Sequence, residues 1–262
     1  MTSESSYTLR DHLFRSADPY ANGKYVVTTR WIDAVADHGR TLYHVGCGSG
    51  AYNSTAVDLG FRVEAFEPDA EAAALAAKDP PPGCTVHMLS LEQIEGQSVA
   101  DVIVMHDVLE HIENDADAVA RLHGLIKPDG QLVLSVPAVP RLYGLHDEQL
   151  GHYRRYTKSS LRKVLEPHFD IRRIRYYGFA FLPVSLVQSR WLRRPYPTDA
   201  ATKGILSTIL RFVTACEARI PTPIGTSLLV HALPRGSHFD GPRDSSAIID
   251  RIDDSNAANV DS

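Results

Sequence analysis

Thr41-Leu42-Tyr43-His44-Val45-Gly46-Cys47-Gly48-Ser49-Gly50 is the stretch whose reading decides the fold. A short apolar run climbs to a turn with glycine at positions 46, 48 and 50, and a helical pattern follows from Tyr52. Glycine lets the backbone enter conformations, and make close approaches, that a Cβ would block. A strand that ends in such a turn and opens a helix makes a seat for a cofactor. Its backbone N–H groups point into the space above the sheet, and the helix N-terminus adds partial positive charge. A glycine-rich turn without a ligand is the plainer alternative.

Working outward, Phe61–Glu67 reads as a second strand that ends in an acid. Glu67 follows Gly50 by 17 residues, close to where such folds place a carboxylate on ribose hydroxyls. Ala70–Lys78 is an Ala-rich helix, ended by Asp79-Pro80-Pro81-Pro82-Gly83. Thr85–Leu89, Asp101–Met105 and Gln131–Val136 read as further strands, the last two apolar enough for a sheet covered on both faces. Asn114–Ile126 reads as a helix stopped by Lys127-Pro128-Asp129-Gly130. Upstream, Val27, Trp31, Ile32 and Val35 mark a helical stripe within Tyr25–Val35.

Downstream, Thr157 or Ser159 caps a helix running to about Leu165, Phe169–Tyr177 alternates as a strand, and Thr226–Leu233 reads as the last strand. Residues 179–225 between them form a helical insertion. The pattern predicts an α/β fold: a doubly wound, mostly parallel, seven-stranded sheet whose last strand is antiparallel. Residues 1–22 are expected to be a flexible arm, 23–235 the domain, and 236–262 a disordered acidic tail.

The 262 residues are 44% hydrophobic and 23% charged, with a net charge of −5. That composition supports a packed core and argues against a nucleic-acid partner. Cys47, Cys84 and Cys216 are widely spaced and form no CxxC, which points to a reducing compartment, hence the cytoplasm, and to no structural zinc. Met1–Asp18 is polar, so no signal peptide is expected. No apolar run reaches the ~18 residues of a membrane span.

Dinucleotide binders carry G-x-G-x-x-G, whereas Gly46, Gly48 and Gly50 give G-x-G-x-G. That motif, Glu67, the run Met105-His106-Asp107-Val108-Leu109-Glu110-His111 and the run Leu125–Gly130 fall in the order of the class I S-adenosylmethionine (SAM)-dependent methyltransferases, which residues 20–235 resemble. The segment His146–Thr157 is similar to a stretch found in one broad branch of these enzymes. The resemblance implies SAM as cofactor and S-adenosylhomocysteine as product. It places Gly46, Cys47, Gly48 and Gly50 against the methionine part, Glu67 on the ribose, Ser90 and Leu91 beside the adenine, and His106 near the methionine amine. The family commonly has an acid where this chain has His44. Another acid, such as Asp107, would then hold the SAM ammonium, or affinity would be lower.

SAM is an activated donor, so the protein must mainly position two reactants. A base is needed only for an acceptor protonated at working pH. His111, His146 and His152 are the candidates, because they fall near the carboxyl ends of strands four and five. Tyr153, Arg154 and Arg155 are candidate acceptor contacts. The bland alternative for this loop is a buried pair of Asp147 with Arg154 or Arg155 that fixes a lid. Asp107, Glu110 and His111 have a spacing that could hold a metal, as in some quinone-forming O-methyltransferases, but an acid-rich first turn is also an ordinary dipole partner. No metal is expected.

Phe179, Phe181, Leu182, Val184, Leu186 and Val187 fit a pocket wall, core or dimer contact, and with Trp191, Arg190, Arg193 and Arg194 a membrane-surface helix. The expected function is methyl transfer to oxygen or nitrogen of a small-molecule acceptor. Two alternatives stand beside it: a quinone or polyprenyl-lipid O-methyltransferase at the membrane surface, and a non-catalytic SAM-binding protein. The oligomeric state is open, a homodimer among the options.

Overall fold

A computed structural model describes residues 18–32, 39–187 and 205–236. Seven strands form one sheet: β1 Thr41–Val45, β2 Arg62–Phe66, β3 Cys84–His87, β4 Ala100–His106, β5 Ile126–Pro137, β6 Phe169–Tyr177 and β7 Ser227–Pro234. Their order is β3-β2-β1-β4-β5-β7-β6. β7 runs antiparallel to both β5 and β6, and the other pairings are parallel. The fold expected from the sequence is therefore the fold observed. Chain order reverses direction between β1 and β4, and ligands in such sheets bind beyond the carboxyl ends of the strands at that point.

The described helices are α1 Pro19–Thr29, α2 Asn53–Asp58, α3 Ala70–Lys78, α4 Asp115–Leu125, α5 Leu145–Gln149, α6 Lys158–Leu165, α7 Leu182–Val187 and α8 Ile205–Arg219. β4 and β7 are buried along their whole length. One apolar layer packs Leu122, Leu125 and Leu161 under β4 and β5. The opposite layer packs Tyr52, Ala56 and Ala76 over β1 and β2. This two-sided burial is why these strands read as apolar runs rather than alternating ones.

Three boundaries differ from the sequence reading. The first helix is Pro19–Thr29, not Tyr25–Val35, because Asp18 caps it by accepting from the Tyr20 N–H and Pro19 sits at its first turn. Residues 18–22 thus cap and open this helix, while 1–17 and, of the expected tail at 236–262, residues 237–262 lie outside the described residues. The run Lys127–Gly130 does follow the end of α4, but it lies within β5, where the register with β4 shifts between Ala100 and Val102. The segment expected as a loop from His146 begins inside α5.

Between β6 and β7 the insertion carries a helical turn at Phe179–Phe181 and helices α7 and α8, as expected, while 220–225 run irregularly and 188–204 fall outside the described residues. α1 crosses this region closely. A Cβ on Gly23 would stand 1.8 Å from the Tyr177 hydroxyl. Tyr20 binds the Thr226 and Ser227 hydroxyls, so the first helix is stitched to the last strand.

Candidate active site

A cleft of about 220 Å³ opens over the carboxyl ends of β1, β2 and β4. The glycine turn forms its floor. Gly46 and Cys47 donate N–H bonds to the Phe66 carbonyl at 2.8 and 3.0 Å, which ties the turn to the end of β2. Gly46 has φ +69°, and a Cβ there would meet Val108 Cγ2 at 2.3 Å, so the position requires glycine on two counts. Gly48 also lines the cleft. Burial pushes the Cys47 thiol pKa up, with Glu67 adding to the effect, so Cys47 is an inert wall residue.

Glu67 lines the cleft and is nearly buried. One carboxylate oxygen accepts the Gly48 N–H at 2.7 Å and the other accepts the Asp69 N–H at 3.0 Å. Each oxygen keeps acceptor capacity, since a carboxylate offers about four lone-pair sites. The acid thus holds the turn and still faces the cleft.

At the other end stand Tyr25, His44, His106 and Asp107. His44 is buried and donates from Nδ1 to Asn53 Oδ1 at 2.7 Å. Burial lowers its pKa to about 4, against a smaller opposing pull from that hydrogen bond. His44 is therefore neutral at pH 7 and does not replace the missing acid. His106 bonds Thr28 Oγ1 through Nε2 at 2.9 Å and packs against the Tyr25 ring, 4.7 Å between centroids. Asp107, at φ +55°, is held by Lys24 through one carboxylate oxygen and by Ser135 Oγ, at 2.9 Å, through the other.

Ser90 and Leu91 stand apart from this wall. Leu91 is buried in the core layer, and the Ser90 N–H bonds Gln93 Oε1 at the start of a single helical turn.

His111 lines the cleft, on the single turn Leu109–His111 after β4. The loop after α5 folds back behind it. The Tyr153 N–H reaches the Glu110 carbonyl at 2.8 Å, and Tyr156 makes a bridge to Ala138 beyond β5. This brings the His152 ring edge-on to His111, 4.5 Å between centroids. His152 Nδ1 lies 2.9 Å from Asp147 Oδ1, and Arg155 Nε donates to that same oxygen at 2.7 Å. The Gly144 N–H takes the other oxygen at 3.1 Å. Burial pushes the Asp147 carboxyl pKa up, but His152 and Arg155 outweigh it and hold it below its usual range. His152 Nε2 is buried, with no hydrogen-bond partner among the described residues.

Of the expected base candidates, the structure thus joins His111 and His152 and leaves His146 on α5, away from the cleft wall. Arg155 is committed to Asp147. Arg154 pairs with Asp115 at 2.9 Å, an oxygen that also takes the Tyr156 hydroxyl. Tyr153 is exposed, with Arg154 over its ring. The buried pairing weighed for this loop therefore exists, through Arg155. Glu110, His111 and His152 bring potential ligand atoms within 4.8 Å of one another. That set differs from the Asp107–Glu110–His111 spacing, because Asp107 points to Lys24 and Ser135. Lys24 escaped the sequence reading because its partner lies 83 residues away.

No helix among the described residues is long and apolar enough to cross a membrane. A family model described as a methyltransferase domain matches residues 28–168. The chain is 31% identical over 99 residues to a ubiquinone biosynthesis O-methyltransferase of Rickettsia felis, a match covering 36% of this chain and 40% of the relative. It is 31% identical over 118 residues to the Burkholderia multivorans protein of the same name, covering 42% and 50%. The match thus spans half or less of the length of these curated relatives.

Among solved structures, a putative S-adenosylmethionine-dependent methyltransferase from Listeria monocytogenes aligns with TM-score 0.55 at 15% identity, covering 82% of this chain and 99% of that one. The Burkholderia thailandensis 1,6-didemethyltoxoflavin-N1-methyltransferase aligns with TM-score 0.52 at 17% identity, covering 89% and 91%. At such identities the likeness is one of fold. The domain match takes in more than half of the chain, the three glycines, Glu67 and the loop to Tyr156, and on that ground the chain belongs to the methyltransferase-domain family, in its seven-stranded class I form.

Proposed function

We propose that this protein is a SAM-dependent methyltransferase that methylates an oxygen atom of a small-molecule acceptor. The donor set of the cleft fits a nucleoside with a charged tail: the Glu67 carboxylate at one end, backbone turn in the middle, and charged Asp107 at the other. When bound, SAM would supply a methyl group that the acceptor oxygen takes by in-line attack, with S-adenosylhomocysteine leaving as the neutral thioether. The chain's own task is to hold both reactants and remove a proton.

Two observations favour oxygen: the imidazole pair, which serves an acceptor that must lose a proton, and the similarity to ubiquinone biosynthesis O-methyltransferases. His111 faces the cleft and takes the hydroxyl proton. His152 stands behind it as a positioning residue, its Nδ1–H fixed by Asp147 and its Nε2 buried beside His111. Arg155 holds Asp147 in place, so the rings keep one orientation without a mobile partner. Such a wall suits a phenol or sugar hydroxyl, which must lose a proton to react. The free thiols of Cys47, Cys84 and Cys216 support a reducing compartment such as the cytoplasm.

The test is methyl transfer from labelled SAM to matched panels of phenols, sugars and amines. Phenol or sugar methylation that His111→Ala abolishes supports the reading. Transfer only to amines overturns it, and no transfer with tight SAM binding selects the non-catalytic alternative.

One observation favours a second reading, an amphiphilic quinone or polyprenyl acceptor taken from a membrane surface. Phe179, Val184, Leu186 and Phe212 of the insertion are each about half exposed or more, exposed apolar side chains of the kind that meet apolar partners. Activity on a prenylated phenol that rises with liposomes, and not on its water-soluble analogue, selects this reading.

A further inference from the structure

The end of α5 decides which side chain its segment gives to the cleft. The Gly151 N–H bonds the Glu148 carbonyl at 3.1 Å, and the His152 N–H bonds the Asp147 carbonyl at 2.8 Å. Gly151 takes φ +73°. These are the two bonds of a Schellman ending, with glycine at its left-handed position. The residues joined by the outer bond often touch through apolar side chains. Here they are Asp147 and His152, and they meet through a hydrogen bond instead. Leu150 stands between the helix and the glycine, and with His111 it lines the cleft. The polar groups around it are engaged within the protein. Asp147 holds Arg155, the Tyr143 hydroxyl donates to the His152 carbonyl at 2.7 Å, and Arg154 pairs with Asp115. None of these groups lines the cleft, and Leu150 does. With Glu67, the glycine turn and Asp107 given to the cofactor, the wall at His111 offers an acceptor one imidazole and the apolar side chains of Leu150 and Val108.

We propose that Leu150 is a specificity-determining residue that selects a phenol over a sugar hydroxyl. The inference rests on the oxygen-methylation reading given above and narrows the acceptor which that reading leaves open. A phenol needs one polar partner, His111, and lays an apolar ring against Leu150. A sugar brings further hydroxyls to the same wall, and each of them leaves water without a hydrogen-bond partner to replace it. The transfer itself is the same for either acceptor. The hydroxyl proton passes to His111, the acceptor oxygen bonds the methyl carbon as the carbon–sulfur bond breaks, and that electron pair leaves with the thioether. Selection therefore lies in what surrounds the reacting oxygen, and the Schellman ending fixes Leu150 there through its backbone.

The experiment sets p-cresol against methyl glucoside as acceptors from labelled SAM, on the full chain. Wild type should prefer p-cresol. Leu150→Asn keeps the volume and adds polarity. It should lower kcat/KM for p-cresol about 10–200-fold, the span for a changed group in an apolar pocket, and change methyl glucoside less than about threefold. Leu150→Met keeps both volume and apolar character and should retain the preference. Calorimetry with S-adenosylhomocysteine should find both variants near wild type. If the melting curve shows Leu150→Asn unfolded, Leu150→Ala takes its place with the same readout. Loss confined to p-cresol in a folded variant supports the selection. Equal loss for both acceptors, unchanged p-cresol turnover, weakened S-adenosylhomocysteine, or a wild type that prefers methyl glucoside overturns it and leaves oxygen methylation standing. A wild type that methylates no phenol or sugar of the panels overturns the oxygen reading, and the selection with it.

Discussion

Asp147 and His152 meet at 2.9 Å with both residues buried, five positions apart on a loop that α5 opens. The contact fixes the ring's tautomer, since an ionised carboxylate only accepts and Nδ1 must therefore donate. Nε2 is left with the free lone pair, buried in a ring that stands edge-on to His111. Arg155 on the same carboxylate oxygen keeps the acid charged. A surface loop rarely buries an acid, an arginine and an imidazole together without a use for one of them.

The first prediction follows from this contact. His111→Ala should cut kcat by ~10²–10⁴, the span for a lost general base, with S-adenosylhomocysteine affinity near wild type. Asp147→Asn should lower kcat, because the amide no longer fixes His152 Nδ1 as the donor and the ring loses its orientation beside His111. Steady-state kinetics across pH, with a melting curve for each variant, check both. A wild-type kcat in folded Asp147→Asn means the acid serves folding alone.

Glu67→Ala should weaken S-adenosylhomocysteine by about 1–3 kcal/mol, the cost of losing hydrogen bonds to a charged group. The structure adds a second effect. The Gly48 and Asp69 N–H groups lose their acceptor, so the glycine turn loosens and the melting temperature falls as well. Glu67→Gln keeps one oxygen and should recover part of both. Calorimetry that finds affinity unchanged removes Glu67 from the cofactor site.

Gly46→Ala should destabilise the chain by about 1–3 kcal/mol, the range for strain at a left-handed backbone position. Its Cβ also meets Val108. The companion change Val108→Ala relieves only the contact, so a double variant should recover a fraction of the loss. Full recovery would show that the backbone angle is not the constraint. Urea unfolding of the two variants separates these outcomes.

Stability should fall on acidification through the histidine range. His44 and His231 have their pKa values lowered to about 4, each by burial first, with Arg173 and Arg172 adding to it at His231. Between pH about 6.5 and 4 the unfolded chain binds more protons at these sites than the folded one, so stability is full above about 6.5 and drains as pH drops toward 4. Each site contributes of order 2–3 kcal/mol to that slope. Asp147 acts lower. Its depressed pKa stabilises the fold above the ordinary carboxylate range, and that part is lost only as pH falls through its folded value. Urea unfolding at pH 7 and pH 4.5 should show the first loss, and His231→Gln should flatten it.

Local chemistry announced the scaffold. Three glycines at alternate positions, an acid at the end of the next strand and apolar runs between helical stripes are short-range patterns, set by backbone sterics and by burial on two faces. They read correctly as β1 through β7. The start of β5 at Lys127–Gly130 was read only as a helix stop because proline and glycine break helices locally, whereas the pairing of Ile126 with Ala100 and of Gln131 with Val102 carries the strand through it. The start of α1 was legible in Asp18-Pro19, a cap and a first-turn proline, but the apolar stripe farther on outweighed it.

Site chemistry was legible by residue type and not by partner. Four histidines and two arginines stood near one sheet edge in the sequence, and nothing local said that His152 would meet His111 edge-on, or that Asp147 would choose Arg155 over Arg154. Lys24 and Asp107, 83 residues apart, carried no mark of each other. Those choices belong to the tertiary structure. Which side chains meet depends on the crossover that lays α1 beside β7 and on the loop that returns under Glu110. The sequence by itself determined what each strand buries and where the backbone must turn; the packed fold decided which charges share a buried space, because only there do desolvation and distance act together.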